Sequence, residues 1–160
     1  MTTITEAVTH LRDICNEHGE EPAAPGATDE QIALIKQTFT ELGFPLPTAL
    51  LEVYRVTLAI PGILRDDSVL HAPCVFDHPE IGDVRFLVNE REDADKEGVL
   101  WLGRGSGADL IIDRDGQCAL VPEFQDDGTV RLVNPTDFDA AFLDYASTQE
   151  AEIREEFGEP

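Results

Sequence analysis

Three residues with metal-ligating chemistry stand close together: His71, Cys74 and His78, in the pattern H-x-x-C-x-x-x-H, with Asp77 beside them. Imidazole nitrogen and thiolate sulfur are zinc ligands, and a Cys/His couple is also the core of a nucleophile. On one continuous helix the three would share a face, but Pro73 and Pro79 interrupt such a helix. No second Cys/His pair completes a tetrahedral set. The expectation is a structural cysteine flanked by surface histidines, with no metal and no cofactor. A small enzyme or a metal-binding protein is the least favoured reading.

Gly103-Arg104-Gly105-Ser106-Gly107-Ala108 has the letters of the dinucleotide fingerprint G-x-G-x-x-[GA]. That chemistry needs a helix N-terminus directly after the glycines, so that amides and dipole face a pyrophosphate. Here Asp109-Leu110-Ile111-Ile112-Asp113 follows, which reads as a strand, and the segment is expected to be a hairpin loop. Asp113, Asp115 and Gly116 resemble the start of a calcium loop. The glycine comes too early, however, and position twelve falls on Phe124 rather than a glutamate. A tight turn is expected instead. Among the carboxylates, Glu52 between Leu51 and Val53 comes nearest to an apolar setting, but its helix has a wet face. No residue pattern supports catalysis, and the protein is expected not to be an enzyme.

Charge excludes more than motifs do. Among 160 residues, 33 Asp and Glu stand against 11 Lys and Arg, a formal net charge of −22. Such a surface repels phosphate backbones and anionic membranes, whose binding requires cations that displace counterions. Nucleic acid and membrane are therefore not expected partners; the charge fits a basic protein partner and fits simple high solubility equally well. With 42% hydrophobic and 28% charged residues the composition is that of a soluble chain with a core. Cys15, Cys74 and Cys118 are widely spaced, odd in number and without a C-x-x-C pair, as expected of reduced thiols. The start Met1 to Glu6 lacks a basic, apolar leader, and no run approaches the roughly 20 apolar residues of a membrane span. A cytoplasmic location is expected.

The elements that must position these residues read as follows. Thr3 and Glu6 form a capping box for a first helix with Ile4, Val8, Leu11 and Ile14 on one face, stopped by Gly19. Residues 20–27, carrying Pro22 and Pro25, read as a connector, so 1–19 is expected to be an appended helix. Thr28 and Gln31 open a second helix with Ile32, Ile35, Phe39 and Leu42, closed by Gly43. Pro47 is expected to be the first residue of a third, through Leu50, Leu51, Val53 and Tyr54, ending before Pro61-Gly62. Residues 79–90 fit a helix through Ile81, Val84 and Leu87, capped by Asp77, although Val84, Phe86 and Val88 also alternate like a strand. Val99–Leu102, Asp109–Ile112, Cys118–Val121 and Val130–Val133 read as strands of an antiparallel meander, with hairpin signals at Asp115-Gly116 and Asp127-Gly128. A last helix is expected from Thr136 as its cap, with Phe138, Ala141, Phe142 and Tyr145 as its stripe and a frayed acidic tail. Helices, a mostly antiparallel sheet, then a helix make an α+β domain with a core over 28–147 and a tail over 148–160.

From about Thr28 to Ser147 these features resemble the SUKH superfamily, the Smi/Knr-related proteins. The resemblance rests on the helix with Ile32 and Ile35, on Leu46-Pro47, and on the helix Leu50 to Tyr54. Leu100-Trp101-Leu102-Gly103, Ala108-Asp109-Leu110-Ile111-Ile112-Asp113 and the helix Phe138 to Tyr145 complete it. It implies a single SUKH-like domain without catalytic residues, of a kind associated in bacteria with immunity proteins that neutralise polymorphic toxins, nucleases among them. A nuclease presents cations where nucleic acid would lie, and an acidic protein can occupy that surface with steered association. Residues 66–97 hold Asp66, Asp67, Asp77, Glu80, Asp83, Glu90, Glu92, Asp93, Asp95 and Glu97 against Arg85, Arg91 and Lys96. The expected partner-binding set is Asp66, Asp67, Glu90, Glu92, Asp93 and Asp95, joined by Asp109, Asp113 and Asp115. The alternative, an intracellular scaffold or regulatory interaction domain, shares the fold and differs in partner.

Overall fold

Thr3 Oγ1 accepts the Glu6 N–H at 3.1 Å and starts helix α1, Ile4–His18, whose Ile4, Ala7, Val8, Leu11, Ile14 and Cys15 are all buried. In the computed structural model, which describes residues 2–18, 23, 25–60, 70–71, 76–78, 82–84, 91–103, 108–156 and 158, that stripe packs on the first-to-last helical layer of the core. The expectation of an appended helix is thereby corrected: six buried side chains make α1 part of the core. Its proposed stop, Gly19, lies outside the described residues.

The described part of the 20–27 connector is also docked. Ala23 N–H donates to Asn16 Oδ1 at 2.7 Å, Ala27 N–H donates to the Tyr54 carbonyl at 2.8 Å, and the Pro25 carbonyl accepts from Leu58 N–H at 3.1 Å. Gly26 makes this possible, because a Cβ there would lie 2.0 Å from the Arg55 carbonyl oxygen.

Helix α2, Asp29–Leu42, has the expected capping box: Thr28 Oγ1 accepts Gln31 N–H, and Gln31 Oε1 accepts Thr28 N–H. It ends on Gly43 at φ +81°, with Gly43 N–H on Thr40 O and Phe44 N–H on Phe39 O, the paired bonds of a Schellman turn. Helix α3, Thr48–Val56, starts one residue later than expected, with Pro47 as the residue before its first turn.

Strands β1 (Ala59–Ile60), β2 (Leu70–His71), β5 (Val99–Gly103), β6 (Leu110–Asp113) and β7 (Cys118–Ala119) form one antiparallel sheet in the order β1-β2-β5-β6-β7. Side chains alternate across it. Leu100, Leu102, Leu110, Ile112 and Cys118 join the cluster of α1, α2, α3 and the last helix, α5 (Phe138–Glu156). Val99, Trp101, Ile111 and Ala119 point the other way, onto a separate hairpin of β8 (Val121–Phe124) and β9 (Val130–Val133). Both faces are covered, which is why β5 reads as an unbroken apolar run.

The expected four-strand meander is thus divided. β5, β6 and β7 continue one another, whereas β8 and β9 leave the sheet after Leu120 and pair only with each other among the described residues. The helix expected over 79–90 is corrected where it can be seen: β3 (Phe76–His78) and β4 (Gly82–Val84) form an antiparallel pair, with Asp77 opposite Asp83. Gly82 is a poor helix-interior residue, and pairing with β3 satisfies the backbone that a helix would otherwise have to satisfy. Residues 79–81 and 85–90 lie outside the described residues. A short helix that the sequence reading did not anticipate, α4 (Arg91–Glu97), precedes β5.

At α5 two expectations are corrected. The cap is Asp137, whose Oδ1 accepts Ala140 N–H at 2.8 Å. Thr136 instead exchanges two backbone hydrogen bonds of 2.8 Å with Cys118 at the edge of the sheet. The helix also continues through Glu156 rather than fraying from Glu150, because Gln149 and Ile153 are buried and α5 packs along α1. The fold is α+β, as expected.

Candidate functional site

Asp95, Asp113 and Asp115 come together at one end of the sheet. Val99 pairs with Asp113, so the end of α4 abuts the β6–β7 turn. There Arg114 Nη2 meets Asp95 Oδ1 at 2.7 Å, and its guanidinium carbon lies 4.8 Å from the centre of the Phe44 ring. One arginine therefore joins the acidic helix, the turn and the end of α2.

These carboxylates do not have equal freedom to meet a partner. Asp113 is half-buried, and its Oδ1 accepts Asp115 N–H and Gln117 N–H, both at 2.9 Å. It closes the turn, which is the role expected in place of calcium binding. Asp115 is exposed, and the Asp95 side chain keeps 63% of its surface despite its ion pair. Asp109 is half-buried at the opposite end of β6, about 13 Å away at the usual rise per strand residue. It does not belong to the same patch. Glu92 and Asp93 lie on α4 with Asp95. Asp66, Asp67 and Glu90 lie outside the described residues.

The sequence reading missed a second acidic turn in this patch. A Cβ on Gly128 would lie 2.7 Å from Lys96 Cε, so the Lys96 stem runs across the β8–β9 turn. Asp126 and Asp127, both exposed, thereby sit beside α4. Asp127 Oδ1 accepts the Thr129 hydroxyl at 2.6 Å and the Thr129 N–H at 3.0 Å, and these bonds hold its carboxyl below the ordinary aspartate range. The signal was present as Asp126-Asp127-Gly128 but read only as a turn. Nothing local connects residue 127 with residue 96.

His71 and His78 lie on β2 and β3, strands of different sheets, so they do not share one face of a helix. Cys74 lies outside the described residues, as do residues 104–107 of the glycine-rich stretch. Ala108 and Asp109 lead into strand β6, not into a helix. Glu52 is exposed. Cys15 and Cys118 are buried free thiols, pushed up to about 12 by desolvation, helped at Cys118 by the charges of Asp113 and Asp137. A buried thiol held neutral in this way is a poor nucleophile. Among the described residues no three His, Cys, Asp or Glu side chains converge as metal ligands, and no helix is long and apolar enough to cross a membrane.

Compared with known proteins, the chain matches no family model, no curated protein and no solved structure.

Proposed function

We propose that this chain is a protein-binding module without chemistry of its own, which neutralises a cationic toxin of the nuclease kind by occlusion, as the SUKH resemblance implies for an immunity protein. The observation that carries the reading is the joining of a −22 chain to one acidic patch, where Asp95, Asp115, Asp126 and Asp127 stand exposed around α4. A cationic active site and such a patch attract one another over a Debye length, about 8 Å at physiological salt, and the attraction speeds encounter before any contact forms. Occlusion then needs only shape and charge. The cytoplasm, where a toxin acting on nucleic acid would have to be met, is the compartment this role requires.

The test is protection. Coexpression with a toxin encoded beside this gene in its host should restore growth, and the purified pair should associate more slowly as salt rises toward about 0.5 M. Failure of the intact chain to protect overturns the immunity reading. An association rate that ignores salt overturns the electrostatic mechanism.

A further inference from the structure

Phe124 is the most exposed large apolar side chain among the described residues, at 67%. It is nevertheless held in place. In β8 it lies opposite Val130, on the side of the hairpin that faces the sheet. Its ring stacks on Trp101 with centroids 6.2 Å apart and planes 18° from parallel. Trp101 itself is only 3% exposed. One face of the Phe124 ring thus rests on a buried indole, and the rest is presented to solvent. In the adjoining turn stand Asp126 and Asp127, both exposed, while Glu123, the preceding residue of the strand, points to the opposite side of the hairpin. Among the described residues, the cations at the hairpin are Arg131, which reaches Glu123 at 4.0 Å on that opposite side, and Lys96, whose stem crosses Gly128.

The same molecule contains the completed version of this arrangement. Over Phe44, the Arg114 guanidinium covers an aromatic ring while pairing with the Asp95 carboxylate. At Phe124 the ring and the carboxylates are present, and no cation of the described residues lies on the ring. We propose that the β8–β9 hairpin is the docking surface for the cationic partner, and that an arginine of that partner seats its guanidinium on Phe124, with Asp126 and Asp127 of the adjoining turn as its carboxylates. The proposal rests on the cationic-partner reading above and assigns it a place.

Charge selects the occupant. A second copy of a −22 chain, a nucleic acid and an anionic lipid surface are all repelled from an acidic hairpin. Guanidinium fits better than ammonium, because it is planar, weakly hydrated and able to stack while its N–H groups reach carboxylates. A rigid aromatic anchor with a charged rim is also the usual make-up of an interface hot spot.

The experiment uses the full chain and two probes free of tryptophan, a nonapeptide of arginine and one of lysine. Trp101, the sole tryptophan, reports occupancy of the ring stacked on it through its emission. The arginine peptide should bind about fivefold tighter than the lysine peptide, and Phe124→Ala should abolish that preference. Phe124→Leu, which keeps an apolar side chain without a π face, should abolish it too, whereas Phe124→Trp should keep it. A preference that survives Phe124→Ala overturns the hairpin as docking surface and leaves the cationic-partner reading standing. Absence of binding by either peptide overturns that reading as well. Concentration-dependent dimers in sedimentation that vanish in Phe124→Ala would assign the face to a second copy and overturn the proposal.

Discussion

The two faces of the central sheet are covered in different ways. On one, Leu100, Leu102, Leu110, Ile112 and Cys118 meet four helices, and Phe39, Leu50, Tyr54, Phe142 and Tyr145 are buried to within 1% of completely. On the other, Val99, Trp101, Ile111 and Ala119 meet a two-stranded hairpin, which covers Trp101 yet leaves Val121 and Phe124 more than half exposed. The first face carries the stability of the fold. The second has apolar surface left over, and it borders the acidic turn. A helical layer presents a broad stripe to a sheet, while a ribbon of two strands is narrow, so even a sheet-facing side chain near its turn, such as Phe124, is only partly covered.

That contrast can be broken from the stable side first. Phe142→Ala removes a fully buried ring stacked on Phe138 and should cost about 3–5 kcal/mol in denaturant unfolding. A loss under about 1 kcal/mol would mean that the helical face is not the main core.

The thiols of Cys15 and Cys118 lie on the same face and give it a pH signature. Both are held protonated up to about 12, above the value of 9.0 for an unperturbed thiol. Between those limits the unfolded chain has released protons that the folded chain still holds, so stability is full below pH 9 and falls as pH rises toward 12. The expected slope is about 1.4 kcal/mol per pH unit for each thiol. Replacing Cys15 with Ala should make the slope measured in urea between pH 9 and 11 shallower, and an unchanged slope would show that other groups cause it.

Smaller effects distinguish the joints between the layers. Asp137→Ala removes the cap of α5 and should cost about 1 kcal/mol, whereas Thr136→Val should cost less, since Thr136 contributes backbone bonds. Arg114→Ala removes a largely exposed ion pair and a ring contact, about 1 kcal/mol together, and should increase amide exchange in α4. At the bottom of the series stands Phe124→Ala. Its effect on stability should not exceed about 1 kcal/mol, the value of one aromatic pair. A larger loss would make Phe124 a core residue, and the contrast between the faces would fail.

Signals carried within one turn of chain could be read directly. Thr28 with Gln31, Gly43, and the glycines after Asp115 and Asp127 behave as their local chemistry requires, with Gly43, Gly116 and Gly128 all at positive φ. Thr136 misled because its neighbour Asp137 is an equally good cap, and only the pairing of Thr136 with Cys118 separates the two. Gly82 to Val84 misled because three residues fit either period until β3 lies alongside. Of the candidate site, Asp95, Asp113 and Asp115 were identified as acidic positions, while the contribution of Asp126 and Asp127 was hidden in sequence separation.

Composition alone determined the net charge of −22, because it is a sum that no folding rearranges. Local spacing likewise determined the helix starts, the tight turns and the strand-length apolar runs, since each depends on groups a few residues apart. Which carboxylates share a patch, whether α1 stands apart or belongs to the core, and whether Phe124 is buried depend on contacts between distant segments. Those were decided only when α4 was set between the β6–β7 and β8–β9 turns, because proximity across a sheet follows strand order and register, and neither is written in any single stretch of chain.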